Sequence, residues 1–419
     1  MVRVTFTIAL VLGYMTGTFP LETSLRSDDT HHTGGGKTFS VRQVSNPDFI
    51  RSGPYQLAKA YKKFGVPLPE DLKNALGRLR LEKRKRSTGN EVTKPESYDV
   101  EYLTPVSIGT PGQVLHLDID TGSSDLWVFS SETPSNLVNG QSLYEPAKSS
   151  TAQKLEGYTW KISYGDGSSS SGVVYRDSVT LGGLTVSSQA VEAATQVSEE
   201  FTSDSNNDGL LGLGFGSLNT VQPKGQKTWF ENIMQELDSP IFTADLKAGE
   251  PGTYNFGYID KNAHIGNISY VSVNDSNGYW TWTSPGYAIG TGALVSTQIM
   301  GIADTGTTLL LLPSTIVVMY YAQIPGALYD ATQGAYTLPC SPTPPDFSFA
   351  VGDDGQVITI PGEYILYAAI TSIGTMCFGG IQADSGIGFS IFGDVALKAA
   401  FVVFDGGKKR LGWASKDLS

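Results

Sequence analysis

A short motif that occurs twice sets the strongest limit on how this chain folds. Asp120 ends an apolar, alternating stretch and opens Asp-Thr-Gly-Ser, and Asp304 ends a second apolar stretch and opens Asp-Thr-Gly-Thr. In the first stretch Leu115, Leu117 and Ile119 are spaced to share one face of a β-strand. One such motif fits a chance turn, because Asp and Gly favour turns, but chance does not explain two matching copies. The residues that follow the two aspartates are Thr121, Gly122 and Ser123, and Thr305, Gly306 and Thr307.

Length and composition favour a two-lobed β-protein. The chain has 419 residues, which is more than one compact core usually holds. Its 48 Gly, 20 Tyr and 40% hydrophobic residues are typical of a globular, β-rich protein, and short alternating strands with Gly-rich turns begin at Tyr102. We therefore predict an all-β, bilobal fold, with the first lobe at residues 87–275 and the second at residues 276–419.

The first residues predict export. Arg3 precedes a mostly apolar stretch from Val4 to Met15, which is too short to span a bilayer and fits a secretory signal peptide. We place this signal at residues 1–20, and the alternative is an apolar N-terminal β-strand. No other long apolar segment follows, so we expect a soluble, secreted protein, or alternatively a vacuolar one.

Charge divides the chain into a basic leader, residues 1–86, and an acidic body, residues 87–419. The leader has 15 Lys and Arg against 7 Asp and Glu, and the body has 14 against 34. So many carboxylates repel nucleic acid and anionic membranes, which we exclude as partners. The same carboxylates repel one another when all are ionised, so we predict that the body is most stable in acid.

The leader carries two helical patterns and a basic end. Leu57, Tyr61 and Phe64 are spaced for one face of a helix, and a second such row follows between residues 72 and 79. Lys85 and Arg86 close a run of four bases that is typical of a dibasic processing site, and the alternative is a solvated helix end. We therefore predict a propeptide at residues 21–86 that docks on the acidic body and is then removed.

Two adjacent carboxylates suit the hydrolysis of an amide without a metal, a cofactor or a covalent intermediate. One takes a proton from water while the other gives a proton to the carbonyl oxygen, and we predict these roles for Asp120 and Asp304. Glycine lets the backbone turn tightly beside them, and the hydroxyls of Ser123 and Thr307 are placed to hydrogen-bond the outer carboxylate oxygens. Such a pair titrates as a unit.

Other chemistries fit less well. Once the leader is removed, His116 and His264 are the only histidines, and the sequence has no ligand cluster for a metal. A glycosidase also uses two carboxylates, but the duplicated glycines and hydroxyl residues have no role in that chemistry. The remaining alternative is a protein of the same fold that binds peptides without cleaving them, but both copies of Asp-Thr-Gly are complete, which favours an enzyme.

Further segments resemble the pepsin family of aspartic endopeptidases, in particular the secreted enzymes of filamentous fungi. These segments are Tyr102–Val106, Leu126–Ser130 and Phe401–Asp405. The resemblance covers residues 100–417. It implies a cleft between the lobes that holds an extended peptide, protein and peptide substrates, inhibition by pepstatin-type compounds, broad specificity for hydrophobic P1 residues and a monomer. It also implies that the apolar segments at 208–214 and 391–394 pass behind the two aspartates.

The same resemblance assigns a flap over the cleft to residues 164–168, with Tyr164 hydrogen-bonding toward Trp127. An ionised Asp166 that faces the P1 pocket is expected to pair with a substrate lysine. The alternatives are a hairpin with turn chemistry only and an Asp166 that merely stabilises the turn. The residues assigned to substrate binding are Tyr164, Gly165, Asp166, Ser168 and Trp127.

Propeptides of this family insert a lysine between the two catalytic carboxylates. Lys63, in the segment Lys63-Phe64-Gly65, resembles that inhibitory element best. An ion pair of this kind is lost when acid protonates the aspartates. The alternative is a lysine on a solvated helix face.

The remaining features suit an exported protein. Cys340 and Cys377 are the only cysteines, and we predict one disulfide between them, with two buried free thiols as the alternative. Asn267 and Asn274 begin Asn-x-Ser sequons and are predicted glycosylation sites.

Overall fold

The computed structural model describes residues 37–46, 49, 51–86, 101–163, 169–370 and 375–418, with the backbone alone described at 82–86, 101 and 199–200. Within these ranges the chain forms 25 β-strands and 7 α-helices, most of the helices short. The prediction of an all-β fold is therefore confirmed. The predicted signal peptide lies outside the described residues, and none of the helices within them is both long and apolar enough to cross a membrane.

The elements follow one another along the chain in this order. The strands are β1 (Phe39–Arg42), β2 (Val44–Asn46), β3 (Glu101–Ile108), β4 (Gln113–Asp120), β5 (Leu126–Val128), β6 (Gln153–Ser163), β7 (Ser169–Leu181), β8 (Leu184–Gln196), β9 (Gly209–Gly212), β10 (Ile241–Asp245), β11 (Thr253–Phe256), β12 (Ile265–Ser272), β13 (Thr281–Ile289), β14 (Val295–Ala303), β15 (Leu310–Leu312), β16 (Leu328–Asp330), β17 (Ala335–Pro339), β18 (Phe347–Val351), β19 (Gln356–Ile360), β20 (Leu366–Ala369), β21 (Met376–Gly379), β22 (Ile381–Ala383), β23 (Ser390–Phe392), β24 (Phe401–Asp405) and β25 (Arg410–Ser415). The helices are α1 (Gly53–Lys63), α2 (Glu70–Arg86), α3 (Glu199–Thr202), α4 (Trp229–Ile233), α5 (Ser314–Tyr321), α6 (Gly362–Ile365) and α7 (Asp394–Leu397).

An eight-stranded sheet, in the order β2-β3-β4-β9-β5-β8-β7-β6, holds Asp120 at the end of β4. In it β4 and β9 are parallel, β9 and β5 are antiparallel, and β5 and β8 are parallel. Leu115, Leu117 and Ile119 alternate into the core, as predicted. The parallel pairing sets Gly212 beside Asp120, so the apolar segment of β9 runs directly behind the aspartate.

A seven-stranded sheet repeats this arrangement around Asp304. Its order is β19-β18-β13-β14-β23-β15-β22, and Asp304 follows the last residue of β14. Here β14 and β23 are parallel, β23 and β15 are antiparallel, and β15 and β22 are parallel. The strands β14, β23, β15 and β22 therefore correspond in order and direction to β4, β9, β5 and β8, and the duplicated motif reflects a duplicated strand arrangement.

Two further sheets complete the described fold, a six-stranded one in the order β1-β11-β10-β24-β25-β12 and a four-stranded one in the order β16-β17-β21-β20. Fully buried aromatic rings pack on the six-stranded sheet: the ring centroid of Phe242 lies 4.5 Å from that of Phe404 and 5.9 Å from that of Trp280. Each aromatic pair of this kind adds about 0.5–1.5 kcal/mol to what burial alone contributes.

The described part of the leader is built into the fold as strands and helices. Strand β1 pairs with β11 and β2 pairs with β3, so the leader extends the edges of two sheets. Helices α1 and α2 follow at the positions that the apolar spacing predicts. Leu57 and Tyr61 of α1 and Leu72 and Leu76 of α2 are buried against the strands that flank Asp304.

Candidate active site

The two strand ends bring Asp120 and Asp304 face to face. Only 3% and 0% of their side chains is exposed. A Cβ on Gly122 would lie 2.5 Å from Oδ1 of Asp304, and a Cβ on Gly306 would lie 2.4 Å from Oδ1 of Asp120. No side chain fits at these distances, so each motif needs its glycine because the opposite carboxylate approaches so closely.

The two motif threonines cross between the loops and hold them together. Oγ1 of Thr121 donates to the carbonyl oxygen of Ala303 at 2.9 Å, and Oγ1 of Thr305 donates to the carbonyl oxygen of Ile119 at 2.6 Å. Each hydroxyl also accepts from the backbone N–H of the other threonine, at 3.0 and 3.1 Å. Each such hydrogen bond contributes about 1 kcal/mol net. Sequence analysis named both threonines as support residues but missed this reciprocal role.

Short hydrogen bonds orient the two carboxylates. The backbone N–H of Gly122 donates to Oδ1 of Asp120 at 2.8 Å, and that of Gly306 donates to Oδ1 of Asp304 at 3.0 Å. Oγ1 of Thr307 donates to Oδ2 of Asp304 at 2.6 Å, the bond that its place after the motif predicts. The inner oxygens of the pair thus face backbone donors, and the outer oxygen of Asp304 faces a hydroxyl.

Ser123 differs from Thr307, its counterpart in the second motif. Its Oγ is buried and makes no hydrogen bond to the described residues within the distance and angle limits that Thr307 meets, so a bond from Ser123 to the outer oxygen of Asp120 stays a prediction. Burial raises the pKa of Asp120, Lys63 lowers it, and hydrogen bonding from the Ser123 hydroxyl adds a smaller lowering.

The leader places Lys63 between the two carboxylates. Its Nζ lies 2.7 Å from Oδ1 of Asp120 and 2.9 Å from each carboxylate oxygen of Asp304. These three charge-assisted bonds match the three donors of an ammonium group. Lys63 is the last residue of α1, and Gly65, at φ 68°, then turns the chain away from the carboxylates.

The ammonium and the carboxylates set one another's ionisation. Burial lowers the pKa of Lys63, but the two aspartates outweigh burial and raise it overall. Burial raises the pKa of Asp120, but the Lys63 charge and hydrogen bond lower it overall. Burial also raises the pKa of Asp304, and there Lys63 offsets it only in part. Asp120 is therefore the more strongly ionised member of the pair in the leader-bound chain.

A second leader lysine faces a second buried acid. Nζ of Lys59, one helical turn before Lys63, lies 3.7 Å from Oδ2 of Asp118, two residues before Asp120 in β4. Burial raises the pKa of Asp118 to about 6, against the lowering effect of Lys59. Sequence analysis missed Asp118. Asp118 and Asp120 are two residues apart on one face of the strand, and Lys59 and Lys63 are four residues apart on one face of the helix, so each lysine faces one acid of the strand.

Phe64, in the turn after Lys63, packs against two aromatic rings of the body. The ring centroid of Phe64 lies 5.8 Å from that of Tyr279 and 5.4 Å from that of Phe389, both edge-on. A cleft of about 1180 Å³ lies beside α1, and residues of the leader line it together with both carboxylate loops and Trp127. An extended peptide of several residues fits a groove of this kind.

A β-hairpin borders this cleft. Strands β6 and β7 pair antiparallel up to Ser163 and Ser169. Trp127 is fully buried below, and its Nε1 has no hydrogen-bond partner in the part of the chain that the structure describes. A bond between Tyr164 and Trp127 therefore stays a prediction. The flap residues that fall outside the described ranges are Tyr164, Gly165, Asp166 and Ser168.

Two predicted features lie away from the cleft. Cys340 and Cys377 form a disulfide, with an S–S distance of 2.05 Å, and so join β21 to the end of β17. Asn267 and Asn274 are both exposed, as the attachment of a glycan requires.

The predicted processing site is at the end of α2, where Lys85 and Arg86 are helical and their side chains are not described. The residues that follow, 87–100, lie outside the described ranges. A group of three or more His, Cys, Asp or Glu that would suit a metal ion does not occur among the described residues.

Comparison with known proteins places this geometry in a family. A family model described as eukaryotic aspartyl protease matches residues 101–416. The chain is 56% identical to endothiapepsin of Cryphonectria parasitica over 385 residues, which is 91% of each chain. It is 49% identical to podosporapepsin of Podospora anserina over 401 residues, 93% of this chain and 94% of that one. It is 50% identical to penicillopepsin-3 of Penicillium janthinellum over 383 residues, 91% and 93% of the two chains.

Proposed function

The chain belongs to the eukaryotic aspartyl protease family, and from this premise we propose that it is a zymogen whose leader blocks the catalytic pair, Asp120 and Asp304, until the pH falls. It is an aspartic endopeptidase, a hydrolase of peptide bonds in proteins. The observation that carries the proposal is the place of Lys63. Its Nζ is within 2.9 Å of both carboxylates, where a substrate carbonyl and a water cannot bind at the same time.

The pair hydrolyses a peptide bond with one water and one shared proton. The ionised carboxylate takes a proton from water as the water oxygen attacks the carbonyl carbon, and the protonated carboxyl gives its proton to the carbonyl oxygen. The resulting diol then returns one hydroxyl proton to the ionised carboxylate. The C–N bond breaks as the other carboxyl protonates the leaving nitrogen. The crossed threonines and the N–H groups of Gly122 and Gly306 hold both carboxyl groups in place throughout.

Acid releases the leader because it neutralises the carboxylates that the lysines face. With Lys63 in place the pKa of Asp120 is lowered, so the stabilisation from this pair is present above the ordinary aspartate pKa and is lost as the pH falls through the lowered value. Burial raises the pKa of Asp118 to about 6 against the lowering effect of Lys59, so the attraction between this carboxylate and Lys59 acts only above about pH 6 and adds to latency near neutral pH.

We extend the proposal to the segments of the chain. Residues 1–20 act as a signal peptide, residues 21–86 as a propeptide that is cut after Lys85 and Arg86, and residues 87–275 and 276–419 as the two lobes. The mature enzyme is secreted and works in acid as a monomer, and Asn267 and Asn274 carry glycans. The acidic body and the exposure of both asparagines support this assignment.

Substrates are proteins and peptides bound in extended form, with hydrophobic side chains preferred at P1. The flap residues Tyr164, Gly165, Asp166 and Ser168 close over the substrate, and Asp166 adds acceptance of lysine at P1. Pepstatin-type inhibitors occupy the same cleft. The hairpin arms that border the cleft and the apolar rings that line it support these roles.

The test uses the full chain and denatured haemoglobin. The precursor should release no fragments at pH 7, and after a step to about pH 4, near the ordinary aspartate pKa, it should become active and sensitive to pepstatin. Asp120→Asn and Asp304→Asn should each abolish cleavage, with the double variant little worse, because the two residues act as one unit. The control is Asp353→Asn at an exposed site. More than about a tenth of the activity in either single variant would reject the assignment, since an essential group supplies ~10²–10⁴-fold.

A further inference from the structure

Two acids are buried side by side behind the first catalytic loop. Asp125, five residues after Asp120, is 3% exposed, and Glu192 of β8 is 1% exposed. Nδ2 of Asn219 lies 2.9 Å from Oδ1 of Asp125 and 2.9 Å from Oε1 of Glu192, so both carboxyl groups share one amide donor.

This pair has no counter-charge in the described part of the chain. In that part of the chain no Lys, Arg or His forms an ion pair with Asp125 or Glu192. The nearby charge of Asp120 is also negative, and it raises the pKa of Asp125 further. The residues opposite Glu192 in β5 and β7 are Trp127 and Val174, which carry no charge. Oε2 of Glu192 is buried and lacks a donor among the described residues. Two ionised carboxylates are unfavourable in such a site.

One proton shared by the two acids removes this difficulty. Burial raises the pKa of Asp125 to about 6, although the backbone N–H of Thr220 donates to it. Burial and the negative charge of Asp125 hold the pKa of Glu192 well above its ordinary value. In acid the pair therefore holds at least one proton, and a carboxyl group that carries it is a donor for the acid beside it.

The pair is tied directly to the loop that carries Asp120. The backbone N–H of Gly212 donates to the carbonyl oxygen of Asp125 at 2.9 Å, and Gly212 is the residue that pairs with Asp120 between β4 and β9. Nδ2 of Asn219 also donates to the carbonyl oxygen of Ser124 at 3.1 Å. A Cβ on Gly212 would lie 2.6 Å from Cα of Ser124, so the loop has no room to shift at this point.

We propose that Asp125 and Glu192 are positioning residues that hold the Asp120 loop in its active geometry only while they share a proton, and that they thereby set the alkaline limit of the enzyme. This inference rests on the proposed role of Asp120. Loss of the shared proton leaves two like charges behind the loop, and their repulsion separates β8 from residues 120–125.

The direction of the pH effect follows from the raised pKa values. The folded chain binds more protons at this pair than the unfolded chain, so the pair stabilises the fold fully below the ordinary pKa of Asp and Glu. This stabilisation is lost as the pH rises through about 6 for Asp125 and still higher for Glu192. Activity and stability should therefore decline together on the alkaline side.

The test replaces the shared proton by an amide. Glu192→Gln has the shape of a protonated glutamic acid and donates to Asp125 at every pH. The matched control, Glu156→Gln, removes an exposed acid from the same sheet. For each activated enzyme, kcat and KM are measured from pH 4 to pH 8. In Glu192→Gln the alkaline fall in kcat should move up by about one pH unit or more, with KM little changed, while the control follows wild type.

A second measurement does not depend on activity. Melting temperatures of the full chain are compared between pH 4 and pH 8 in an Asp304→Asn background, which also prevents self-digestion. The alkaline decline in Tm should be flatter with Glu192→Gln and with Asp125→Asn, and Glu192→Ala should lower Tm even in acid because it removes the donor. If the Tm of Glu192→Gln and the Tm of Asp125→Asn both fall with rising pH as steeply as that of wild type, the proposal is overturned, whatever the haemoglobin assay shows. An Asp304→Asn chain that still cleaves haemoglobin would instead reject the catalytic assignment and leave the melting result valid.

Discussion

Replacing Lys63 by methionine keeps most of its volume on α1 but removes the charge that faces both carboxylates. We expect the Lys63→Met precursor to lose its latency near neutral pH, because the leader then covers Asp120 and Asp304 without forming an ion pair with either of them. The three bonds that disappear are 2.7, 2.9 and 2.9 Å long.

The magnitude follows from the burial of the three groups. Removing one partner of a buried ion pair costs about 3–5 kcal/mol. The aspartates are 3% and 0% exposed, but Lys63 is 14% exposed, which favours the lower end of that range. A cost of about 3 kcal/mol corresponds to a leader that binds about 10²-fold more weakly, since 1.4 kcal/mol is tenfold.

The assay uses precursors in which Lys85 and Arg86 are both changed to alanine, so that an external processing protease does not remove the leader. Binding of a fluorescent pepstatin derivative and the initial rate on a quenched peptide are measured at pH 6.5. The Lys63→Met precursor should bind and cleave about 10²-fold better than its parent, whereas Lys73→Met, at an exposed ion pair of α2, should not differ. A Lys63→Met precursor that is as inactive as the parent at pH 6.5 and needs the same acid step would refute the reasoning.

Three further outcomes are expected. Asp118→Asn removes the charge that faces Lys59, so gels of leader release between pH 4 and pH 7 should show a midpoint at higher pH than wild type; an unchanged midpoint would contradict this. Thr305→Val loses the hydroxyl that donates to Ile119, which should lower the free energy of unfolding in urea by about 1–3 kcal/mol and lower kcat, with Thr305→Ser restoring both. Asp166→Asn should reduce kcat/KM at pH 5 about tenfold, or ~1.4 kcal/mol, for a peptide with Lys at P1 but not for one with Phe; an equal loss would mean that Asp166 serves the fold of the flap.

Local patterns explain why much of the fold and the site was predictable. The alternation of Leu115, Leu117 and Ile119 depends only on the two-residue period of a strand, and the spacing of Leu57 and Tyr61 depends only on the helical turn. The repeated Asp-Thr-Gly predicts a pair of carboxylates because glycine and a hydroxyl residue follow each aspartate in both copies. The family followed from such segments, and the comparisons confirm it.

Contacts between distant segments were not predictable in the same way. The sequence contains Asp118 and Lys59, but no local rule says that a helix of the leader lies across β4 with its lysines in register with the strand. The same holds for Ser123, which matches Thr307 in the motif yet does not reproduce the bond that Thr307 makes to its aspartate.

The sequence by itself therefore determined the class of fold and the pairing of the two aspartates, because each depends on residue types at short spacing, whereas Lys63 was predicted from its resemblance to the family's propeptides. Tertiary structure alone decided that Thr121 and Thr305 cross between the loops and that Asp125 and Glu192 meet behind one of them. The physical reason is that burial and the absence of a nearby cation make a carboxyl group retain its proton, and both conditions depend on which strands pack together. An acid in an alternating strand looks the same in sequence whether solvent or a second acid lies opposite it.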